Sequence, residues 1–351
     1  MRKINNRTIQ IALGIFWLLD GFLQLQPKMF TSAFATRVVS PAAQGQPGFV
    51  AGLMHFGVTL FLTHPAVFNA LFALTQLSIG ALILFPKTVK IGLSLSILWG
   101  LVVWVFGEGF GGIFSGQLLL MGAPGAALIY VLLAMAVYPR VKKLEPKIAH
   151  WLAFVWLVLW VGGGIFQLLP LNNSTGIMGS MVAANSSGAP SWIATADNAI
   201  ADFVSGLGNN NHNTASKQPA VVSVSMGGMV MTGSFTSKGP SRPGLVFILG
   251  FALLEMAIGI GVLFRYRKIA IVLGILLSLC FWFFGQSFGD IYSGVGTDLN
   301  SGPLLVIMGL AIISINDLDI YLFGIGHKLS DWILGKPNFQ RELVVNPHVK
   351  D

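Results

Sequence analysis

Eight polar side chains interrupt otherwise apolar runs: Asp20, Gln24, Gln76 and Glu108 in the first part of the chain, Gln167, Glu255, Gln286 and Asp290 in the second. Ionisable groups inside apolar stretches are costly and mark functional sites by default. Carboxyls shielded from bulk water can trade protons with a bound molecule, which makes Glu255, Glu108, Asp290 and Asp20 the candidate catalytic groups. The competing reading is structural: Gln and Glu hydrogen-bond between helices and fix their packing.

The elements that carry these groups follow from composition. Of 351 residues, 54% are hydrophobic and only 10% charged, against about 25% charged in soluble domains. That excludes an ordinary soluble enzyme and indicates an all-α integral membrane protein. Runs long enough to cross a hydrocarbon core of roughly 30 Å fall at 8–25, 66–85, 91–107, 118–138, 150–169, 244–264, 269–285 and 302–316, eight expected transmembrane helices. Sixteen of the 21 Lys and Arg residues fall in one set of alternate loops and termini, from Arg2 through Lys87, Lys142 and Arg265 to Lys350. The other set holds Lys28, Arg37, Lys217, Lys238 and Arg242. Basic residues favour the cytoplasmic side, so both termini are expected there, in the cytoplasmic (inner) membrane. The net charge of +8 therefore reports topology and anionic lipid contact, not nucleic acid. Asp20 interrupts the first apolar run, which reads as a retained helix, not a cleaved signal.

The chain also repeats itself. VWVFGEGFGGIFSG at 103–116 returns as WFFGQSFGDIYSG at 282–294, and FALTQLSIGALILF at 72–85 as FALLEMAIGIGVLF at 251–264. Trp17, Gln24, Pro27, Gly45 and Pro47 meet Trp160, Gln167, Pro170, Gly188 and Pro190 at a single offset of 143. Such self-similarity reads as a tandem duplication. The expected units are 1–145 and 146–335, two four-helix bundles in parallel orientation, followed by a cytoplasmic tail at 336–351. The acids are not duplicated: Glu108 is answered by Gln286, Asp290 by Gly112, Glu255 by Gln76 and Asp20 by Gly163. That permits one asymmetric site with acids from both units.

Between the two offsets, the second unit carries an insertion at 205–242, rich in Asn, Ser, Gly and Thr and expected to be a flexible outer loop. Before it, Trp192, Ala196, Ile200, Phe203 and Leu207 share one helical face, with Asp197, Asn198, Asp202 and Ser205 opposite, an amphipathic outer helix. Residues 29–38 repeat this in shorter form, and Leu322, Ile325, Leu329 and Trp332 form an inner stripe. The glycines of the two FG motifs permit either close helix packing or an unwound turn. His55, His64 and His212 fall in outer regions and His150, His327 and His348 in inner ones, so no intramembrane pair is available for a haem. No metal site is assigned; Met226, Met229 and Met231 read either as an apolar strand or, with His212, as thioether ligands for Cu(I).

Gly21-Phe22-Leu23-Gln24 at the end of the first helix resembles the DoxX/DoxD group of four-helix membrane proteins. So does Glu255-Met256-Ala257-Ile258-Gly259-Ile260-Gly261 ahead of a basic turn, Arg265-Tyr266-Arg267-Lys268. The resemblance covers roughly 1–138 and 150–315. It implies the membrane subunit of a quinone-linked oxidoreductase of the thiosulfate type. Gln24, Gln76, Gln167, Gln286, Trp104 and Trp282 are then the candidates for holding a quinone. Other expected roles are a non-catalytic scaffold or assembly subunit contacting another membrane or periplasmic protein, and a small-solute transporter.

Overall fold

The computed structural model describes residues 4–139, 148–170, 172–185, 189–208, 220–226, 229–235, 241–264 and 266–315. The chain begins with α1 (Asn6–Gln24), started by a reciprocal cap in which Asn5 Oδ1 accepts the Thr8 N–H at 2.9 Å. Such a cap satisfies N–H groups that have no partner inside the helix. After short 3-10 and π turns come α2 (Ser40–Ala42), α3 (Gly48–Thr63), α4 (Pro65–Leu84), α5 (Val89–Phe106) and α6 (Ala126–Ala136). The second half runs α7 (Leu152–Gln167), α8 (Thr175–Asn185), α9 (Ser191–Gly206), strands β1 (Ala220–Met226) and β2 (Met229–Phe235), then α10 (Arg242–Gly261), α11 (Arg267–Cys280) and α12 (Ser301–Ile313).

Helices α1 and α4 lie antiparallel. Arg7 at the start of α1 donates to the Ile83 carbonyl at 2.9 Å and to that of Leu84, both at the end of α4. At the other end, Asn69 donates to the Gln24 carbonyl at 2.7 Å. Glycine makes the close approach possible: a Cβ on Gly80 would sit 2.7 Å from the Gly14 carbonyl oxygen. Helices α7 and α10 meet in the same manner, with a Cβ on Gly164 falling 2.6 Å from the Ala252 carbonyl. Close small-residue contacts of this kind drive helix association in lipid.

Among the described residues, α4, α5, α10 and the stretch Arg267–Gly285 are long and apolar enough to cross a membrane. Only 28–33% of each apolar window is buried inside the protein, so most of that surface faces outward, as lipid-facing helices require. The protein is therefore a helical membrane protein. Helix α1 is of comparable length, but Asn6, Gln10, Asp20 and Gln24 dilute its apolar run. Helices α7 and α12 are shorter, at 16 and 13 residues.

Several expectations need revision. The segment 118–138 is not one helix. Leu119–Met121 forms a 3-10 turn, Gly122 and Gly125 take positive φ, and only the 11 residues of α6 are helical. Eleven residues rise about 16 Å, too little to span. Residues 48–63, which lie between the first two expected spans at 8–25 and 66–85, form a further helix, α3, whose Val50, Met54 and Phe61 are buried. Helix α9 is present with Trp192 and Phe203 pointing outward, as an interfacial helix requires, but its polar side is not open to water: Asp197 is buried together with Ile193, Ala201 and Val204. Inside the insertion, β1 and β2 pair antiparallel with Met226 opposite Met229, a local departure from the all-helical expectation. His212, the inner stripe at 322–332, Gly188 and the tail at 336–351 lie outside the described residues.

Both FG motifs are unwound. Gly109, Phe110, Gly111, Gly112 and Gly116 have positive φ in the first, and Ser287, Phe288, Gly289, Asp290 and Gly294 in the second. Gly111 is required: at φ +60° its missing Cβ would lie 1.8 Å from the Pro124 carbonyl oxygen, in a backbone region that L side chains rarely enter.

Candidate functional site

A cavity of about 460 Å³ opens in the first half, at the end of α1 opposite the Arg7 contacts. Its floor is α1, α4, α5 and α6, and its roof is the 34–61 segment with α3. Nine aromatic residues line the cavity, among them Trp17, Phe34, Phe61, Phe72, Trp99 and Phe106. Three carboxyls reach it, from Asp20, Glu108 and Asp298, and among the described residues none that lines it is basic.

Each carboxyl is held differently. Asp20 Oδ2 accepts the Tyr130 hydroxyl at 2.6 Å, while Oδ1 has no partner although the residue is only 2% exposed. Glu108 accepts the Ala127 N–H with both oxygens, at 3.1 and 3.3 Å. It thereby caps α6, where unpaired N–H groups and the helix dipole favour an acid. Asp298 accepts the Asn300 N–H at 2.6 Å and the Thr297 hydroxyl at 2.7 Å. Burial pushes its carboxyl above the ordinary range, against the pull of those two bonds. Of the wall donors, the Trp17 indole is used on Ser96 at 2.8 Å, whereas the Trp99 indole N–H is buried without a partner.

Four of the candidates thus come together at one cavity: Asp20, Gln24, Gln76 and Glu108. The amide oxygens of Gln24 and Gln76 are buried and unpartnered. Trp104 stands beside the cavity without lining it, its indole donating to Pro124 O at 2.8 Å. Glu255, Gln167, Gln286, Asp290 and Trp282 do not line it. Gln286 instead repeats the capping contact of Glu108: its Oε1 accepts the Gly302 N–H at the start of α12 at 2.9 Å, and its amide donates to Ser301 at 3.1 Å. Asp290 sits in the second FG turn near Lys28, its carboxyl raised by burial and lowered by the Ser293 hydrogen bond and the Lys28 charge.

Asp298, Asn300 and Tyr130 were not among the sequence candidates. Asp298 lies in a loop whose approach to α1 depends on packing between the two halves. Tyr130 had a weak signal, as a lone hydroxyl within the apolar run AALIYVLLAMA. Fold and site define a helical membrane protein with an aromatic, acid-bearing cavity. No family model matches the chain, and neither a curated protein nor a solved structure matches it.

Proposed function

We propose that this protein is a multi-span protein of the cytoplasmic membrane, built from two DoxX-like four-helix units, that serves as the quinone-binding subunit of an oxidoreductase. The observation that carries the reading is the pairing of Asp20 with Tyr130 on the cavity wall, one carboxylate oxygen engaged and the other unpartnered. The duplication is supported by the matched α1/α4 and α7/α10 contacts and by the matched caps at Glu108 and Gln286. The parallel orientation, with both termini cytoplasmic, rests on the basic residues of alternate loops.

The lining fits a quinone. The cavity volume lies within the range of small-molecule pockets, ring walls favour a flat ring, Trp99 has an unpartnered N–H to match a ring carbonyl, and Asp20 Oδ1 an unpartnered oxygen to match the hydroxyl of the reduced ring. A bound quinone takes up two electrons and two protons. Asp20 and Tyr130 hold a proton at the wall, the amide oxygens of Gln24 and Gln76 accept the hydroxyl of the reduced ring, and the surrounding rings exclude water. Electrons come from a sulfur compound oxidised on a partner subunit. Transport is a second reading, favoured by three carboxyls facing one cavity with no basic residue, an arrangement suited to a cation.

Trp17 and Trp99 line the cavity, so menadione should quench intrinsic fluorescence of the purified protein in a saturable way. Asp20→Leu, which removes the hydrogen-bonding group, should weaken that binding about tenfold, roughly 1.4 kcal/mol. Unsaturable quenching, or quenching untouched by Asp20→Leu, defeats the quinone reading. Cation uptake by protein-loaded liposomes would then favour transport.

A further inference from the structure

The second half buries two polar side chains that nothing nearby answers. Glu255 in α10 and Gln167 at the end of α7 are both 0% exposed. Neither carboxyl oxygen of Glu255 and neither amide atom of Gln167 has a hydrogen-bond partner. Buried polar groups are nearly always satisfied, because leaving them bare is costly. Two such side chains on facing helices therefore point to a purpose other than packing.

Sequence register relates this place to the first-half cavity. The positions of Asp20, Gln24 and Gln76 correspond to Gly163, Gln167 and Glu255. The acid has changed helices, yet its carboxyl occupies nearly the same room: Glu255 Oε2 lies 3.4 Å from where a Cβ on Gly163 would stand. What differs is the filling. Leu119 Cδ1 lies 2.3 Å from that same point, inserted from the first half. Phe281, 1% exposed, stands where the first half has Val103, a cavity-lining residue. Its ring stacks on Trp160 at 6.1 Å and contacts Phe251 at 5.9 Å.

We infer that the second half holds a closed copy of the site, formed by Glu255 and Gln167 and stoppered by Leu119 and Phe281, for the same class of ligand: a flat apolar ring able to exchange a proton. The ligand class rests on the quinone reading above; the closed site itself rests on the geometry around Gly163. The 3-10 turn that carries Leu119 also carries Met121, which lines the first cavity together with the adjoining Gly122. A ligand in the first cavity therefore touches the segment that closes the second.

Dicyclohexylcarbodiimide, an apolar reagent that adds to protonated carboxyls, reads the site without any quinone. In the full-length protein Asp20 should label and Glu255 should not, as resolved by peptide mass spectrometry. Leu119→Ala should expose Glu255 to the reagent, raising its labelling at least tenfold. Phe281→Val, the residue type found at that place in the first half, should do the same should Leu119→Ala fail to fold. Bound menadione should rise from one to two per chain in the opened variant and return to one when Glu255→Gln is added. Glu255 unlabelled in a folded opened variant, or labelled in the wild type as fully as Asp20, overturns the closed site. If menadione binds neither protein while Glu255 labels only in the variant, the closed site stands and the quinone reading falls.

Discussion

Tyr130 donates its hydroxyl to Asp20 across 2.6 Å, joining α6 to α1 between residues 110 positions apart. The bond fixes one carboxyl oxygen and leaves the other without a partner, in a residue that lines the cavity. Removing one partner so that a buried acceptor is stranded costs about 1–3 kcal/mol. Tyr130→Phe should therefore lower unfolding stability by about 2 kcal/mol in detergent and weaken menadione binding. Unchanged thermal unfolding would show that the bond carries no stability.

Glu108 and Gln286 perform the same capping task on α6 and α12. Glu108→Gln should keep the cap and stay within about 1 kcal/mol of wild type, whereas Glu108→Ala should lose about 1–2 kcal/mol, as for other cap truncations. Thermal unfolding of the two variants side by side decides it. If glutamine loses as much as alanine, the negative charge matters and the cap does not suffice.

Gly111 and Gly52 make opposite predictions for one substitution. Gly111→Ala drives a Cβ into the Pro124 carbonyl at positive φ and should abolish the folded protein. Gly52→Ala, in α3 with nothing within 4 Å, should stabilise by roughly 0.5–1 kcal/mol through helix propensity. Yield and melting temperature of the two variants test this; equal effects would contradict the packing described for the first FG turn.

Asp197 faces inward from α9 with both carboxyl oxygens unpartnered, and burial pushes its carboxyl up to about 6. A folded-state value above the unfolded one means the folded protein binds more protons between roughly pH 4 and 6, so stability falls as pH rises through that window. The melting temperature should decline from pH 4 to pH 7, and Asp197→Asn should flatten the decline. A variant with the wild-type slope would assign the dependence to other groups.

Composition and hydropathy period were enough for the membrane class and for the helices at 65–84, 89–106 and 242–261, since apolar length alone decides whether a helix can cross lipid. Spacing also identified Asp20, Gln24, Gln76 and Glu108 as polar interruptions. It could not separate Glu108 from Glu255, for both are single acids in apolar surroundings. Packing separates them: Glu108 lands on the first turn of α6, and Glu255 lands against Gly163 with nothing to bond.

The broken segment at 118–138 was equally hidden, because a hydropathy sum does not register the positive φ of Gly122 and Gly125. Asp298 entered the site only through contact between distant parts of the chain, which local periodicity does not encode. The burial of Asp197 in α9 was hidden for a related reason. The apolar stripe of Trp192 and Phe203 is turned to the surroundings, as an interfacial helix requires, whereas the cover over Asp197 comes from packing that the helix's own sequence does not encode. Sequence therefore determined the long apolar helices, whose length and composition suffice to define them. Tertiary packing decided which polar groups share a cavity, because that depends on where helices cross and on which side chains fill the space between them.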